Sequence, residues 1–410
     1  MVIEKREGFT KEFGVLAVLG AFAIFSSTMS KSPTLSLFAK YLGATPAEIG
    51  LIAASSTVVG IVTNVTAGVL SDLYGRKKLI LASTTVFATA PFFYLLVTSP
   101  LQLILVRLYH GLATATFAPV LSATIADLYA QRRGEMMSFA TSAQYVGRLL
   151  APIVGGLVLS LPFLGSQLAG FQNAYLICGV CGLVALGLAF SLFLFPALKS
   201  SAIKRRGVLE NLRGMPRQKG FLSVSSALAA LYLSVGPIEA FLPLYAQSLG
   251  ISAFQIGILL SMQNAMVLLA GPFFGRLSDK LGRRRFVMAG LGIVALSIVM
   301  VSFSGTFPVL SLVMILYGTG MAMTLASTPP MVAEMVPKEI YGTSLGALST
   351  IQDLGQTIGP VVAGLIIGFS GLGYFGAFIV IGGLIGANLG IINVGLRQHT
   401  KKGSSTQDNE

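Results

Sequence analysis

Apolar residues run in long stretches along this chain, and charged residues gather in the short gaps between them. A helix that crosses a bilayer needs about 20 predominantly apolar residues. Twelve stretches meet that length: 13–37, 47–69, 79–98, 101–125, 137–160, 171–195, 221–245, 255–275, 286–304, 309–332, 343–368 and 373–396. Strands of a membrane barrel would alternate in polarity over about ten residues, and the chain shows no such alternation. The pattern predicts an all-α membrane protein with twelve transmembrane helices.

One gap repeats. Gly68-Val-Leu-Ser-Asp-Leu-Tyr-Gly-Arg-Lys-Lys78 returns as Gly275-Arg-Leu-Ser-Asp-Lys-Leu-Gly-Arg-Arg-Arg285, 207 residues later, or about half of the 410-residue chain. The same offset pairs Gly43 with Gly250, Gly50 with Gly257, Gly111 with Gly318 and Asp127 with Glu334, and an offset of 208 pairs Pro152 with Pro360. Self-similarity at a fixed period marks a repeated structural unit. The expected organisation is a six-helix bundle over 1–195, a basic linker over 196–220, a second six-helix bundle over 221–396 and a polar, disordered tail over 397–410. Parallel repeats of this kind are a transporter architecture, with substrate bound near the midplane and access alternating between the two sides.

Composition supports the membrane assignment. Hydrophobic residues make up 54% of the chain and charged residues 10%, against about 25% charged in soluble domains. The net charge of +13 would suggest nucleic acid if the basic residues were clustered on one face. Threaded through twelve spans with the N-terminus in the cytoplasm, 24 of the 28 Lys and Arg fall on the inner side. That bias sets membrane orientation. The prediction is a multi-pass cell-membrane protein with both termini cytoplasmic and no nucleic-acid partner. Cys178 and Cys181 lie within an apolar helix and read as packing residues, and no metal or cofactor site is expected. Motifs of membrane enzymes are absent, and the chain is read as a transporter and not an enzyme.

The duplicated loop carries a resemblance. Gly68-x-Leu70-x-Asp72-x-x-Gly75-Arg76-Lys77 resembles the signature of the major facilitator superfamily between its second and third helices, and Gly275-x-Leu277-x-Asp279-x-x-Gly282-Arg283-Arg284 looks like its second copy. Arg107-x-x-x-Gly111 resembles the second motif, which the resemblance links to proton transfer. Gly147-x-x-x-Ala151-Pro152-x-x-Gly155-Gly156 in the fifth span is similar to the helix-5 motif of twelve-helix drug–proton antiporters, with Ala151 where that motif has glycine before the proline. Small residues and proline also let membrane helices approach closely and bend. The resemblance implies that Asp72 meets the inner start of the eleventh helix and that Arg76 lies near Asp127, so that the loops form a gate.

Intramembrane charges are the remaining candidates, because a charge at the bilayer centre costs about 2.5–3.5 kcal/mol on insertion scales. Lys31, Arg107, Arg148, Glu239 and Asp353 fall inside spans. Asp353, deepest by span length, ranks first as the proton carrier and Glu239 second, since burial brings a carboxylate into working range. A permanent ion pair with a basic residue would disqualify either. Arg107 and Arg148 have uncharged repeat mates, Met314 and Gln356. The expected activity is proton-coupled efflux of small amphipathic compounds by a monomer in the lipid bilayer. The alternative is a symporter or uniporter for an organic anion, sugar or metabolite, favoured by the three-to-two excess of basic over acidic groups inside the spans.

Overall fold

The computed structural model describes residues 10–129, 131–161, 165–195, 221–336 and 341–407, with the side chains of 65, 68, 69, 72, 341–343, 345, 391 and 393–407 outside that description. The linker, 196–220, lies outside the described residues. The described residues are helical, with twelve long helices and no strand among them. These are α1 (Lys11–Lys31), α2 (Pro46–Tyr74), α3 (Arg76–Tyr94), α4 (Pro100–Leu128), α5 (Arg133–Ser160), α6 (Gln167–Ser191), α7 (Phe221–Ser248), α8 (Ala253–Leu281), α9 (Arg283–Val301), α10 (Phe307–Met335), α11 (Tyr341–Phe369) and α12 (Gly373–Gln407). By length and hydropathy, ten of the described stretches are able to cross a membrane; α3 and α11 are not among the ten. Arg76, Lys77 and Lys78 open α3, and Gln352, Asp353 and Gln356 interrupt α11. Both helices are expected to need shielding by their neighbours.

Two elements depart from the sequence expectation. The first span is not one helix: α1 ends at Lys31, and a short helix, Thr34–Tyr41, continues it. The break falls at Pro33, which has no N–H to donate to the preceding turn. At the other end the polar tail is helical as far as Gln407 instead of disordered. It extends an existing helix, so it avoids the cost of nucleation.

The helices fall into two compact units. The first takes in the described residues of Met1–Gly43, Val58–Ile203 and Ser252–Ser261, the second those of Ala44–Thr57, Lys204–Ile251 and Met262–Glu410. In the first unit α1 packs on α5 and α6, and α3 packs on α4 and α6; in the second, α7 packs on α11 and α12, and α9 packs on α10 and α12. The neighbour pattern is the same six helices apart, so the sequence repeat is a repeat of packing. Leu16, Leu19, Phe87, Phe117 and Leu121 are buried in the first core. Leu228, Leu231, Phe241, Leu291 and Phe378 are buried in the second unit.

Candidate functional site

The duplicated loop is a single residue of turn in each unit. Gly75 joins α2 to α3 at φ +95°, and Gly282 joins α8 to α9 at φ +100°. Only glycine adopts that backbone without strain. Each turn delivers an arginine to the first position of the next helix. In the first unit Arg76 Nε donates to Asp127 Oδ2 at 3.1 Å, and Arg76 also bonds Ser71, with Arg76 6% and Asp127 20% exposed. In the second unit Arg283 bonds Glu334 at 2.7 Å and Asp279 at 2.7 Å, with both acids more than half exposed. This pair lines an open cleft of about 330 Å³ with Ser278, Arg284, Met331 and Met335. The same ion pair is thus enclosed in one copy and solvated in the other. Lys77 adds a clamp in the first unit, donating to the carbonyls of Leu192 and Phe195 at 2.6 and 2.9 Å beyond the end of α6. Gly68 and Asp72 lie in α2, and their side chains are outside the described residues. Gly275 has open space around it, with Ala326 Cβ 4.0 Å from where a side chain would start.

The helix-5 glycines divide by role. A Cβ on Gly147 would stand 2.5 Å from the Ala21 carbonyl oxygen, and one on Gly156 would stand 2.3 Å from that of Ala253, but Gly155 has only ordinary contacts near 3.4 Å. The repeat mates of Gly147 and Gly156 behave alike: Gly355 faces the Ala229 carbonyl at 2.5 Å and Gly364 that of Pro46 at 2.5 Å. Pro152 and its mate Pro360 are also approached by backbone, since a Cβ on Gly257 would meet the Pro152 oxygen at 2.2 Å and one on Gly50 the Pro360 oxygen at 2.4 Å. These small residues give close helix packing within each unit.

The intramembrane charges separate by unit. In the first unit Arg107 is buried on α4 at 3% exposure, Lys31 is half-buried at the end of α1, and Arg148 stands on the exposed face of α5 with its guanidinium 5.5 Å from the Tyr145 ring. His110 lies one helical turn from Arg107 on α4 and is within electrostatic range of both Arg107 and Lys31. Tyr94 on α3 joins them, its hydroxyl 3.4 Å from His110 Nδ1 and its ring stacked on Tyr175 of α6 at 4.4 Å.

In the second unit Glu239 of α7 accepts from Gln356 Nε2 of α11 at 3.0 Å. Asp353 is half-buried on the same helix, one turn before Gln356. Ser234 Oγ and the Tyr317 hydroxyl bond at 2.9 Å in a buried position on α7 and α10. Tyr317 is the 207-residue mate of His110, so equivalent places in the two units hold a histidine near Arg107 and Lys31 and a tyrosine bonded to Ser234. His110 stands beside the Arg107 motif in the sequence, but nothing in the sequence joins it to Tyr94 and Tyr175 or marks Tyr317. Among the described residues no group of three His, Cys, Asp or Glu is arranged to hold a metal.

Comparison with known proteins agrees with this geometry. The model of the Major Facilitator Superfamily matches residues 17–236 and again 222–409. The chain is 27% identical over 363 residues to an uncharacterised MFS-type transporter of Methanocaldococcus jannaschii, covering 86% of this chain and 92% of that one. It is 24% identical over 396 residues to the multidrug resistance protein MdtG of Klebsiella pneumoniae, covering 94% of each. A crystal structure of a POT family transporter superposes with a TM-score of 0.81 at 13% identity, covering 96% of this chain and 98% of that one.

Proposed function

The chain belongs to the Major Facilitator Superfamily, and from that premise we propose a proton-coupled secondary transporter that exports small amphipathic compounds by alternating access. As a member it is a multi-pass membrane transporter of a small-molecule substrate. Proton coupling, export and substrate class are our reading, as are a monomeric working unit, the lack of any enzymatic activity and cytoplasmic termini. A relative named for multidrug resistance, at 24% identity over nearly the whole chain, supports export.

The observation that supports proton coupling is the Glu239–Gln356 hydrogen bond. A carboxylate accepts from the amide N–H, and a protonated carboxyl donates to the amide oxygen after the amide turns. Gln356 thus serves both states of Glu239, as a carrier that loads and releases a proton requires. Asp353, one turn away, is the second candidate. The repeated Gly75 and Gly282 turns, with the Arg76–Asp127 and Arg283–Glu334 pairs, are our candidates for gating elements.

Flux in vesicles with an imposed pH gradient tests the reading. Accumulation should collapse when the gradient is dissipated. Asp353→Asn or Glu239→Gln should abolish pH-driven accumulation and leave substrate exchange. If both variants accumulate substrate normally, the proton-site assignment fails. The second reading is a symporter or uniporter for an organic anion, sugar or metabolite. The buried Arg107, which acts on His110 together with Lys31, favours it. Uptake driven down an inward proton gradient would decide for that alternative.

A further inference from the structure

We propose that the first unit binds a small anion at His110 Nε2 and the Tyr175 hydroxyl, in the cluster that Lys31, Tyr94 and Arg107 complete. Arg107 is within hydrogen-bonding reach of Tyr94, and a guanidinium only donates. The Tyr94 oxygen therefore accepts from Arg107, which leaves its own proton for His110 Nδ1, 3.4 Å away. An Nδ1 that accepts puts the ring proton on Nε2. His110 and Tyr175 are each 1% exposed, and both His110 Nε2 and the Tyr175 hydroxyl are buried without a hydrogen-bond partner. A buried polar group left unsatisfied costs about 1–3 kcal/mol, so the site favours an acceptor.

The surroundings specify the charge of that acceptor. Arg107 and Lys31 are the charged groups that act on His110, and Tyr94, Cys178 and Arg107 act on Tyr175. Residues 13–47, 73–126 and 136–209 contain no Asp or Glu. On these helices only Glu12 and Asp127 are acidic, and they stand at the far ends of α1 and α4 from Lys31 and His110, so the acceptor comes from a ligand. A small monoanion satisfies both donors and sits in the field of two cations. A free halide and the carboxylate headgroup of a transported substrate share this chemistry.

Thermal unfolding of the purified full-length protein tests the site. Chloride and acetate are titrated separately, each against a bulky sulfonate at equal ionic strength. Wild type should show a saturable rise in melting temperature. Tyr175→Phe, which removes one oxygen, and His110→Phe should each weaken the apparent affinity about tenfold or more, the loss expected for one hydrogen bond to a charge. A response to chloride alone identifies a free ion; a response to acetate that chloride competes away identifies a substrate headgroup. No saturable response to either anion overturns the proposal. So does wild-type affinity in Tyr175→Phe, the variant that decides should His110→Phe fail to fold.

Discussion

Gly156 lies so close to Ala253 that a Cβ placed on it would stand 2.3 Å from the Ala253 carbonyl oxygen. Its neighbour Gly155 meets nothing nearer than about 3.4 Å. Adjacent glycines of one motif therefore make opposite predictions. Gly156→Ala should cost about 1–3 kcal/mol, the usual penalty of overpacking, and Gly155→Ala should be close to neutral. Thermal unfolding in detergent measures both. Equal destabilisation by the two substitutions would show that the motif acts through the backbone rather than through the Ala253 contact.

Much of this architecture was legible in the sequence because the bilayer fixes helix length and the repeat fixes spacing. Gly75 and Gly282 announced their turns, since only glycine occupies that backbone so readily, and Arg76 fell beside Asp127 where the resemblance implied it. Partners across helices were not legible. Arg148 and Arg107 read alike in sequence, but helix rotation exposes the first and buries the second. Tyr94, His110 and Tyr175 come from three helices, and no spacing rule links them. Pro33 was visible as a breaker, yet the apolar pattern runs through it and hides the end of α1.

The enclosure of Arg76 and the exposure of its repeat mate predict unequal stakes. Removing one partner of a buried pair strands the other charge, so Arg76→Ala should destabilise the protein by on the order of 3 kcal/mol. Arg283→Ala, in the solvated copy, should cost under about 1 kcal/mol. Melting temperatures of the two variants compare them directly, and Arg76→Ala with Asp127→Ala should recover part of the single-variant loss. A larger effect at Arg283 would invert this ranking of the two pairs.

A buried hydroxyl pair allows a smaller and sharper test. Tyr317→Phe removes one oxygen and breaks the 2.9 Å bond to Ser234. Ser234 keeps its bond to the Leu231 carbonyl, so no serine proton is stranded. The expected cost is about 0.5–1.5 kcal/mol, that of one net hydrogen bond. Ser234→Ala leaves the Tyr317 hydroxyl buried and without that partner and should cost more. The order of the two melting temperatures checks the assignment of donor and acceptor.

The repeat extends to how helices begin. Thr45 N donates to Glu48 Oε2 at 2.7 Å, and Glu48 N donates back to Thr45 Oγ1 at 3.3 Å. At the mate positions Ser252 N donates to Gln255 Oε1 at 3.1 Å, and Gln255 N donates to Ser252 Oγ at 3.3 Å. These are capping boxes, each satisfying two backbone donors at the start of a helix, and both are visible as hydroxyl-x-x-Glu or Gln in the sequence. Glu48, a carboxylate near the positive end of the α2 dipole, should be the stronger of the pair. Thr45→Ala and Ser252→Ala are each expected to cost about 1 kcal/mol. Glu48→Gln should cost a few tenths, the surface-exposed dipole contribution, and that loss should shrink as salt is raised. A Glu48→Gln variant insensitive to salt would assign the whole effect to hydrogen-bond geometry and none to charge.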